Sequence, residues 1–354
     1  MQTKKLLSLD NFLIAMLIFI PISIALDLLH ANPIIIFIVA ALAIIPLAGF
    51  MGKATEELAK HLGAGLGGML NATFGNATEL IIAFFAIQAG LFEVVKASIT
   101  GAIIGNTLLI TGCAMFFGGL KRKKQTFNAQ AQGVGSTMLA IAAVGLILPA
   151  LAAHVLNLGA LESLSLGISA VLLITYLCSL LFSLRTHKHL YTCEGDEEEC
   201  KPHWSKKYAA LILLLATVAV AVESEILVGS IEHVSHTLGL TELFIGVIVV
   251  AIIGNAAEHS SAILMAIKNK MDLSLNIATG SSTQIALLIA PVLVFVSYLM
   301  GTPMNLVFHE FEVVAIVAAI VISNMIGSDG ESNWMEGLQL IALYVMMAVV
   351  FFFI

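Results

Sequence analysis

Apolar residues form long runs along the chain, and short polar segments separate these runs. Eleven runs approach or exceed the length of about 20 residues that an α-helix needs to cross a bilayer. They fall at residues 11–29, 33–51, 66–90, 94–119, 132–153, 163–184, 208–230, 241–266, 273–300, 306–326 and 333–353. None shows the alternation typical of a transmembrane β-barrel. The pattern therefore predicts an all-α polytopic membrane protein with 11 transmembrane helices.

Composition agrees with this prediction. Of the 354 residues, 59% are hydrophobic and 11% are charged, whereas about 25% are charged in an ordinary soluble domain. The apolar composition predicts that the lipid bilayer of the cell membrane surrounds the protein. The net charge of −7 argues against nucleic acid as a partner. The four cysteines have no spacing typical of disulfide or zinc sites. Whether the chain forms a homo-oligomer stays open.

The basic residues predict an orientation, because cytoplasmic loops of membrane proteins are rich in Lys and Arg. A cytoplasmic N-terminus places fifteen of the 16 basic residues inside and leaves only Lys96 outside. The fifteen are Lys4, Lys5, Lys53, Lys60, Lys121, Arg122, Lys123, Lys124, Arg185, Lys188, Lys201, Lys206, Lys207, Lys268 and Lys270. We therefore expect the N-terminus in the cytoplasm and the C-terminus outside.

Two segments of the chain resemble each other. Gly-Asn-Ala-Thr-Glu at 75–79 matches Gly-Asn-Ala-Ala-Glu at 254–258, 179 positions later. The match predicts an N-terminal helix (1–30), a first five-helix repeat (31–186), an acidic cytoplasmic loop (187–207) and a second five-helix repeat (208–354). Because five is odd, the two repeats must insert with opposite orientations. Inverted repeats of this kind are typical of secondary transporters.

Two carboxylates lie near the middle of predicted membrane helices. These are Glu79 and Glu258, and an ionised carboxylate at such a depth costs about 3 kcal/mol or more, so each is a candidate functional residue. Asn76 and Asn255 precede them by three residues, which places each pair on one helix face. The repeat symmetry predicts that both faces meet in one pocket at the membrane midplane.

The helices that follow bring further oxygen atoms to this pocket. Ser281, Ser282 and Gln284 lie at a depth where their neighbours are apolar, and the counterpart segment 101–106 carries glycines and Asn106. Such glycines allow close backbone approach or expose carbonyl oxygens. A set of carboxylate, amide, hydroxyl and carbonyl oxygens suits Ca²⁺. His259 beside Glu258 leaves Mn²⁺, Zn²⁺ or Cd²⁺ open as secondary substrates.

These motifs carry a resemblance to a known family. The segment Asn-Ala-Thr-Phe-Gly-Asn-Ala-Thr-Glu at 71–79 resembles the first signature of the calcium/proton antiporters (CAX family) of the cation/calcium exchanger superfamily. Residues 254–259, 271–275 and 280–285 are similar to the second signature. The arrangement of one helix plus two five-helix units extends the resemblance over nearly the whole chain.

The resemblance implies roles for individual residues. It implies that Glu79 and Glu258 bind the ion and exchange protons, with Asn76, Asn255, Ser281 and Gln284 as supporting ligands. Asn106 departs from the repeat, because the gapless alignment places Gly105 opposite Gln284. The acidic stretch 194–199 falls where the family carries its acidic loop between the repeats.

Charge arithmetic predicts a coupled transport cycle. One divalent cation or two protons can neutralise the two glutamates, whereas the empty site would carry a charge of −2 that a low-dielectric core penalises. Only loaded states would then change between inward- and outward-facing forms. If His259 also cycles, a third proton is exchanged, and the sequence leaves both stoichiometries open. Glu225 is a candidate for the proton path, whereas Glu223, nearby in the same helix, is expected to have a solvated or vestibule position near the helix end.

The expected function is export of Ca²⁺ from the cytoplasm in exchange for H⁺ by alternating access. The nearest alternative is a sodium/calcium exchanger, in which hydroxyl-rich repeats with aspartate would be expected. A divalent-cation channel is a further alternative, although channels usually assemble such rings by oligomerisation. No motif typical of an intramembrane hydrolase is present. We therefore expect a transporter that is not an enzyme and has no cofactor, with Ca²⁺ as its substrate.

Overall fold

The computed structural model describes residues 9–187 and 202–354, so the acidic stretch 194–199 lies outside the described residues. The helices in chain order are α1 (Leu9–Met16), α2 (Phe19–Leu28), α3 (Pro33–Phe74), α4 (Ala77–Gln88), α5 (Phe92–Ile104), α6 (Thr111–Gly119), α7 (Ala129–Ala152), α8 (Leu158–Leu181), α9 (Lys206–Leu238), α10 (Glu242–Phe244), α11 (Ala251–Gly254), α12 (Ala256–Ile267), α13 (Met271–Gln284), α14 (Ala290–Leu299), α15 (Glu310–Gly327) and α16 (Trp334–Phe353). Four π-helical segments join or extend them: Gly105–Ile110, Phe182–Thr186, Ile245–Val250 and Ile285–Ile289. Two short strands, β1 (Gln125–Thr126) and β2 (Glu331–Ser332), pair antiparallel.

The described residues form an all-α membrane protein, as the sequence predicts. Among them, nine helices are long and apolar enough to cross a bilayer, and a pair bent by 62°, Glu242–Gly254 with Ala256–Ile267, raises the number to ten. The sequence predicts eleven spans, one more than these ten, and the difference arises at one place. The expected span 66–90 is not one long helix, because its first part belongs to α3 and its second part is the short α4.

The predicted loop at 52–65 is helical, which corrects the expected boundary between the second and third spans. Ala, Glu, Leu and Lys dominate residues 53–62, and these are strong helix formers. Helix α3 nevertheless turns back on itself. A side-chain carbon at Gly67 would lie 2.3 Å from the carbonyl oxygen of Ala59, whereas eight residues of a straight helix rise about 12 Å.

Large apolar side chains cover the outer surface of the helices. Val171, Ile174 and Leu177 of α8 are exposed. Only 22% of the residues in the most apolar stretch of this span are buried inside the protein. A soluble protein would not leave so much apolar surface in water. This surface is the expected contact with the acyl chains of the lipid bilayer.

Contacts between loops test the predicted alternation of sides. On one side, Arg122 Nη2 donates to the Ile267 carbonyl over 3.0 Å and the backbone N–H of Asn128 donates to Asp272 over 2.6 Å. On the other side, His154 Nε2 lies 3.8 Å from an oxygen of Glu310. Each of these contacts joins loops or helix ends that the sequence places on the same side of the membrane.

The start of α9 is fastened to α3. The Glu57 carboxylate accepts hydrogen bonds from the backbone N–H groups of His203 (2.6 Å) and Trp204 (2.8 Å), and Lys53 lies over the indole ring of Trp204 at 5.6 Å. The first long helices of the two predicted repeats are thereby tied together at one end. Helices α3 and α9 also pack against each other through apolar side chains along their length.

Candidate functional site

Both signature motifs break a helix at their asparagine. Helix α3 ends at Phe74 and α4 begins at Ala77, while α11 ends at Gly254 and α12 begins at Ala256. Asn76 (φ −106°, ψ 27°) and Asn255 (φ −92°, ψ 7°) have the bridge-region geometry of a turn, which lies outside the α-helical range. The apolar runs 66–90 and 241–266 predict continuous helices here, so the breaks correct that expectation. The Gly-Asn dipeptides, two poor helix formers in a row, are the signal that could have revealed the breaks.

The breaks place each glutamate in the first turn of a new helix. Glu79 lies in the first turn of α4 and Glu258 in the first turn of α12. The positive end of a helix dipole favours an ionised carboxylate at this position. The preceding helices α3 and α11 end at the same two places, and the last carbonyl oxygens of a helix have no partner within that helix. Discontinuous helices of this kind build ion sites in secondary transporters.

The two glutamates lie close to each other across the predicted repeat boundary. The Glu79 side chain covers Gly254, where an added side-chain carbon would lie 3.1 Å from Glu79 Cγ and 3.5 Å from Oε1. Glu79 is within electrostatic range of Glu258. Both side chains are half-buried, and the Oε2 atom of each is buried without a hydrogen-bond partner among the described residues. A buried carboxylate oxygen without a donor requires a proton or a cation.

A continuous set of hydrogen bonds connects the predicted supporting residues. Ser281 Oγ shares its one hydroxyl hydrogen between Asn76 Oδ1 (3.0 Å) and Asn255 Oδ1 (3.4 Å). It also accepts a hydrogen bond from Asn106 Nδ2 (3.0 Å). Asn76 Nδ2 also donates to Gln284 Oε1. Four helices of both predicted repeats thereby contribute polar groups to one buried cluster.

Asn106 belongs to this cluster, although it is offset by one residue from the position opposite Gln284. Its Nδ2 also donates to Asn255 Oδ1 over 3.2 Å, while Gln284 contacts Asn76. A π-helical segment begins at Gly105, whereas the corresponding segment of the other repeat begins at Ile285, immediately after Gln284. Since π-helical turns change the register of the side chains that follow, the offset residue can take the equivalent place.

His259 lies at one end of the cluster. It is buried, and its Nε2 is 3.1 Å from Asn106 Oδ1. Because an amide oxygen only accepts, the histidine donates and Nε2 carries a proton. This bond fixes the orientation of the Asn106 side chain, whereas the predicted role of His259 in transport stays a prediction.

Ser282 lies beside the cluster and does not join it. Its Oγ donates to the backbone carbonyls of Ala278 (3.1 Å) and Ile103 (3.4 Å) and lies 3.3 Å from Thr107 Oγ1. Ile103 is 179 residues before Ser282, which is the spacing of the sequence repeat. Residues in equivalent positions of the two halves therefore meet at this place.

The structure locates the remaining candidates in helix α9. Glu225, which the sequence analysis places on the proton path, is exposed on this helix, and that role stays a prediction. Glu223, which was expected to be solvated, is fully buried instead. Its burial follows from packing against a neighbouring helix, which the sequence of α9 alone does not show.

The cluster has the chemistry of a hard-cation site. It combines two carboxylates with amide, hydroxyl and carbonyl oxygens, the ligand types that Ca²⁺ prefers. Among residues 9–187 and 202–354, no three His, Cys, Asp or Glu side chains group together as a transition-metal site would require. A divalent cation would therefore rest on the Glu79 and Glu258 carboxylates and on neutral oxygens.

Comparison with known proteins identifies the family. The family model described as sodium/calcium exchanger protein matches residues 32–185 and again 208–353. The chain is 48% identical to the Ca(2+)/H(+) antiporter of Aphanothece halophytica over 98% of each chain. It is 46% identical to the Ca(2+)/H(+) antiporter ChaA of Bacillus subtilis over 94% of this chain and 96% of that protein.

A solved structure gives the same result. The structure of native YfkE superimposes with a TM-score of 0.86 at 42% sequence identity, covering 98% of this chain and 100% of that chain. These relatives confirm the resemblance to calcium/proton antiporters that the two signatures carry. The protein belongs to the sodium/calcium exchanger protein family.

Proposed function

We propose that this protein is a calcium/proton antiporter that exports Ca²⁺ from the cytoplasm in exchange for H⁺. The observation that carries the proposal is the pair of half-buried carboxylates, Glu79 and Glu258, each with an oxygen that lacks a donor among the described residues. The pair accepts either one Ca²⁺ or two protons. Relatives with 46–48% identity that are named Ca(2+)/H(+) antiporters support the choice of these two ions.

Alternating access between two inverted repeats is the proposed mechanism. The same family model matches residues 32–185 and 208–353, which supports two homologous halves. The empty site carries two negative charges in a low-dielectric interior, so the protein does not readily change between its inward- and outward-facing forms while the site is empty. Movement is favourable when Ca²⁺ or two protons neutralise the pair. This difference couples the two ions.

The proposed location is the cell membrane, with the N-terminus in the cytoplasm and the C-terminus outside. The excess of basic residues in one set of loops supports this orientation. The contacts of Arg122 and Asp272 support it further, because they join loops of that set to each other. Ca²⁺ would then leave the cytoplasm while protons enter down their gradient.

The test is Ca²⁺ uptake into everted membrane vesicles that have an acidic interior. We expect uptake that a protonophore abolishes and that does not require sodium. A requirement for sodium would instead assign the protein to exchange of sodium for calcium. Uptake that follows the Ca²⁺ gradient and survives the protonophore would indicate a channel.

Competition between the two ions predicts a steep pH dependence. Two carboxylates must both lose their protons before Ca²⁺ binds, so the apparent Kd should rise as the pH falls. Below the range in which the pair titrates, the rise approaches about 100-fold per pH unit. The measurement is radioactive Ca²⁺ binding to purified protein from about pH 3.5 to about pH 8, a range that brackets the usual carboxyl and histidine pKa values of about 4–7. A Kd that stays constant over this range would contradict competition.

Removing the hydroxyl that links the amides should weaken Ca²⁺ binding. Ser281→Ala deletes a group that orients Asn76, Asn255 and Asn106 at once. A loss of about 1.4 kcal/mol is expected for a buried hydrogen-bonding group, which is about tenfold in Kd. Ser282→Ala is the matched control, because its hydroxyl donates to backbone carbonyls. Equal losses in the two variants would show that Ser281 has no special role at the site.

A further inference from the structure

A third carboxyl group lies in the helix bundle apart from Glu79 and Glu258. Glu223 of α9 has an exposed fraction of 0%, and neither Oε1 nor Oε2 finds a hydrogen-bond partner among the described residues. Water, ions and buried donors normally satisfy such oxygens. Glu223 is therefore a buried polar group whose place in the fold needs an explanation.

Glu223 faces the N-terminal helix, which stands outside the two predicted repeats. From α2, the hydroxyl of Ser23 points at the carboxyl and is itself fully buried without a completed hydrogen bond to any described residue. Asp27, one turn further along α2, is exposed and acts electrostatically on Glu223. The exposed carboxyl of Asp27 and the buried carboxyl of Glu223 thus lie one after the other along the interface between α2 and α9.

The other helices packed against α9 bring few charges. Residues 33–52 of α3 include no titratable side chain, the one such residue of α4 is Glu79, and that of α10 is Glu242. Cations that could neutralise a Glu223 carboxylate are therefore absent from these segments. In this conformation the group holds a proton, because an ionised carboxylate without donors is strongly disfavoured in a buried site.

Helix α9 connects Glu223 to the site. Val220, one turn before Glu223, packs in the same buried cluster as Ala77, which lies two residues before Glu79. A change in the position of α4 during transport therefore changes the packing of α9. Such a change would open or close the interface of α9 with α2 and alter the access of water to Glu223.

We propose that Glu223 is a proton-binding site separate from the Glu79–Glu258 pair, loaded through Asp27, which adds one proton to each transport cycle. The carboxylate of Glu223 takes up H⁺ from the outer side when the α2–α9 interface is hydrated. It releases this proton to the cytoplasmic side after the two repeats change access, so one more proton crosses the membrane in each cycle and no other reactant is needed. The proposal rests on the proposed exchange of Ca²⁺ for H⁺. It concerns Glu223 and not Glu225, whose side chain is exposed.

The experiment counts protons and Ca²⁺ in proteoliposomes that contain a pH indicator and a Ca²⁺ indicator. Wild type is expected to move about three protons per Ca²⁺, and Glu223→Gln about two, while Ca²⁺ transport continues. Three protons against one Ca²⁺ move a net charge, so the wild-type rate should respond to an imposed membrane potential. The Glu223→Gln rate should lose this response.

Two further variants separate the steps of the proposal. Asp27→Asn should keep the wild-type number of protons and require a higher external proton concentration for half-maximal rate. Glu232→Gln is the matched control, since this carboxyl lies on the same helix and is exposed; its proton count should equal that of wild type.

The same number of protons in wild type and Glu223→Gln would overturn the proposal. If Glu223→Gln does not fold, Glu223→Asp keeps a carboxyl in a shorter side chain. It should keep the number of protons and shift the external pH dependence, and an unchanged pH dependence would also overturn the proposal. Wild-type protein that shows no exchange of Ca²⁺ for H⁺ would refute the proposed function as well, so the two failures are distinguishable.

Discussion

Replacing Glu79 or Glu258 by glutamine is expected to abolish Ca²⁺ transport. Each substitution removes half of the negative charge at the site and leaves one carboxylate facing a divalent ion. A buried divalent cation that loses one of its two carboxylates keeps an uncompensated charge, which costs about 3 kcal/mol or more and corresponds to at least about 100-fold in Ca²⁺ affinity. The measurement is Ca²⁺ uptake into everted vesicles, together with Ca²⁺ binding to the purified protein.

The fold should survive these substitutions. Glutamine has the shape of a protonated glutamate without its charge, and the Oε2 atoms of Glu79 and Glu258 are buried without donors among the described residues. The stability without Ca²⁺ is therefore expected to stay the same or to rise. In contrast, the increase in Tm that Ca²⁺ gives to the wild type, which reflects binding to the folded state, should disappear.

A control carboxyl lies far from the cluster. Glu310→Gln removes a carboxylate whose side chain is 80% exposed and which lies near His154, so transport should remain close to wild type. Transport that persists in either Glu79→Gln or Glu258→Gln would show that the pair is not the ion site. Loss of transport in all three variants would instead indicate a general effect of charge on the protein.

The sequence predicts the site better than it predicts the helices that carry it. Asn76, Asn255, Ser281, Gln284 and Asn106 could be selected because a polar side chain in a membrane helix is costly, and the structure brings all five into one cluster. The free-energy cost of placing one polar side chain in a membrane helix depends on that residue and its neighbours in the chain, so a hydropathy pattern reveals it. The roles of these residues in binding and transport stay predictions.

The interruptions of the helices were not predictable from hydropathy. The breaks at Asn76 and Asn255 and three of the four π-helical segments lie inside runs that are apolar enough for a continuous helix. The bend between Ala59 and Gly67 lies mainly in the segment 52–65, where hydropathy predicts a loop. The side chains of Asn76 and Asn255 at the two breaks accept hydrogen bonds from Ser281 of another helix, and such tertiary contacts override local propensity. The burial of Glu223 was missed for the same reason, because it depends on the position of α2.

Replacing Gly101 by alanine should disrupt folding, because no space is available for a side chain at this position of α5. An added methyl carbon would lie 2.0 Å from the carbonyl oxygen of Val247 and 2.6 Å from its Cα and carbonyl carbon. These are backbone atoms of the π-helical segment Ile245–Val250, which cannot move without displacing the helix that carries Asn255 and Glu258. Overpacking against a rigid neighbour costs about 3 kcal/mol, and for a chain of this length the expected loss in Tm is about 4 °C.

Two glycines in comparable positions make this prediction specific to the contact. Gly105 is four residues later in the same span, and Gly280 is the counterpart of Gly101 in the repeat; for both, the described residues leave open space within 4 Å of an added methyl carbon. Alanine also favours a helix over glycine by up to about 1 kcal/mol, so Gly105→Ala and Gly280→Ala should unfold at the wild-type temperature or slightly above it. Thermal unfolding of the three purified variants measures the difference. A Gly101→Ala protein as stable as the other two would mean that α5 and the segment 245–250 separate readily, and the predicted close packing of the two repeats at the site would then be wrong.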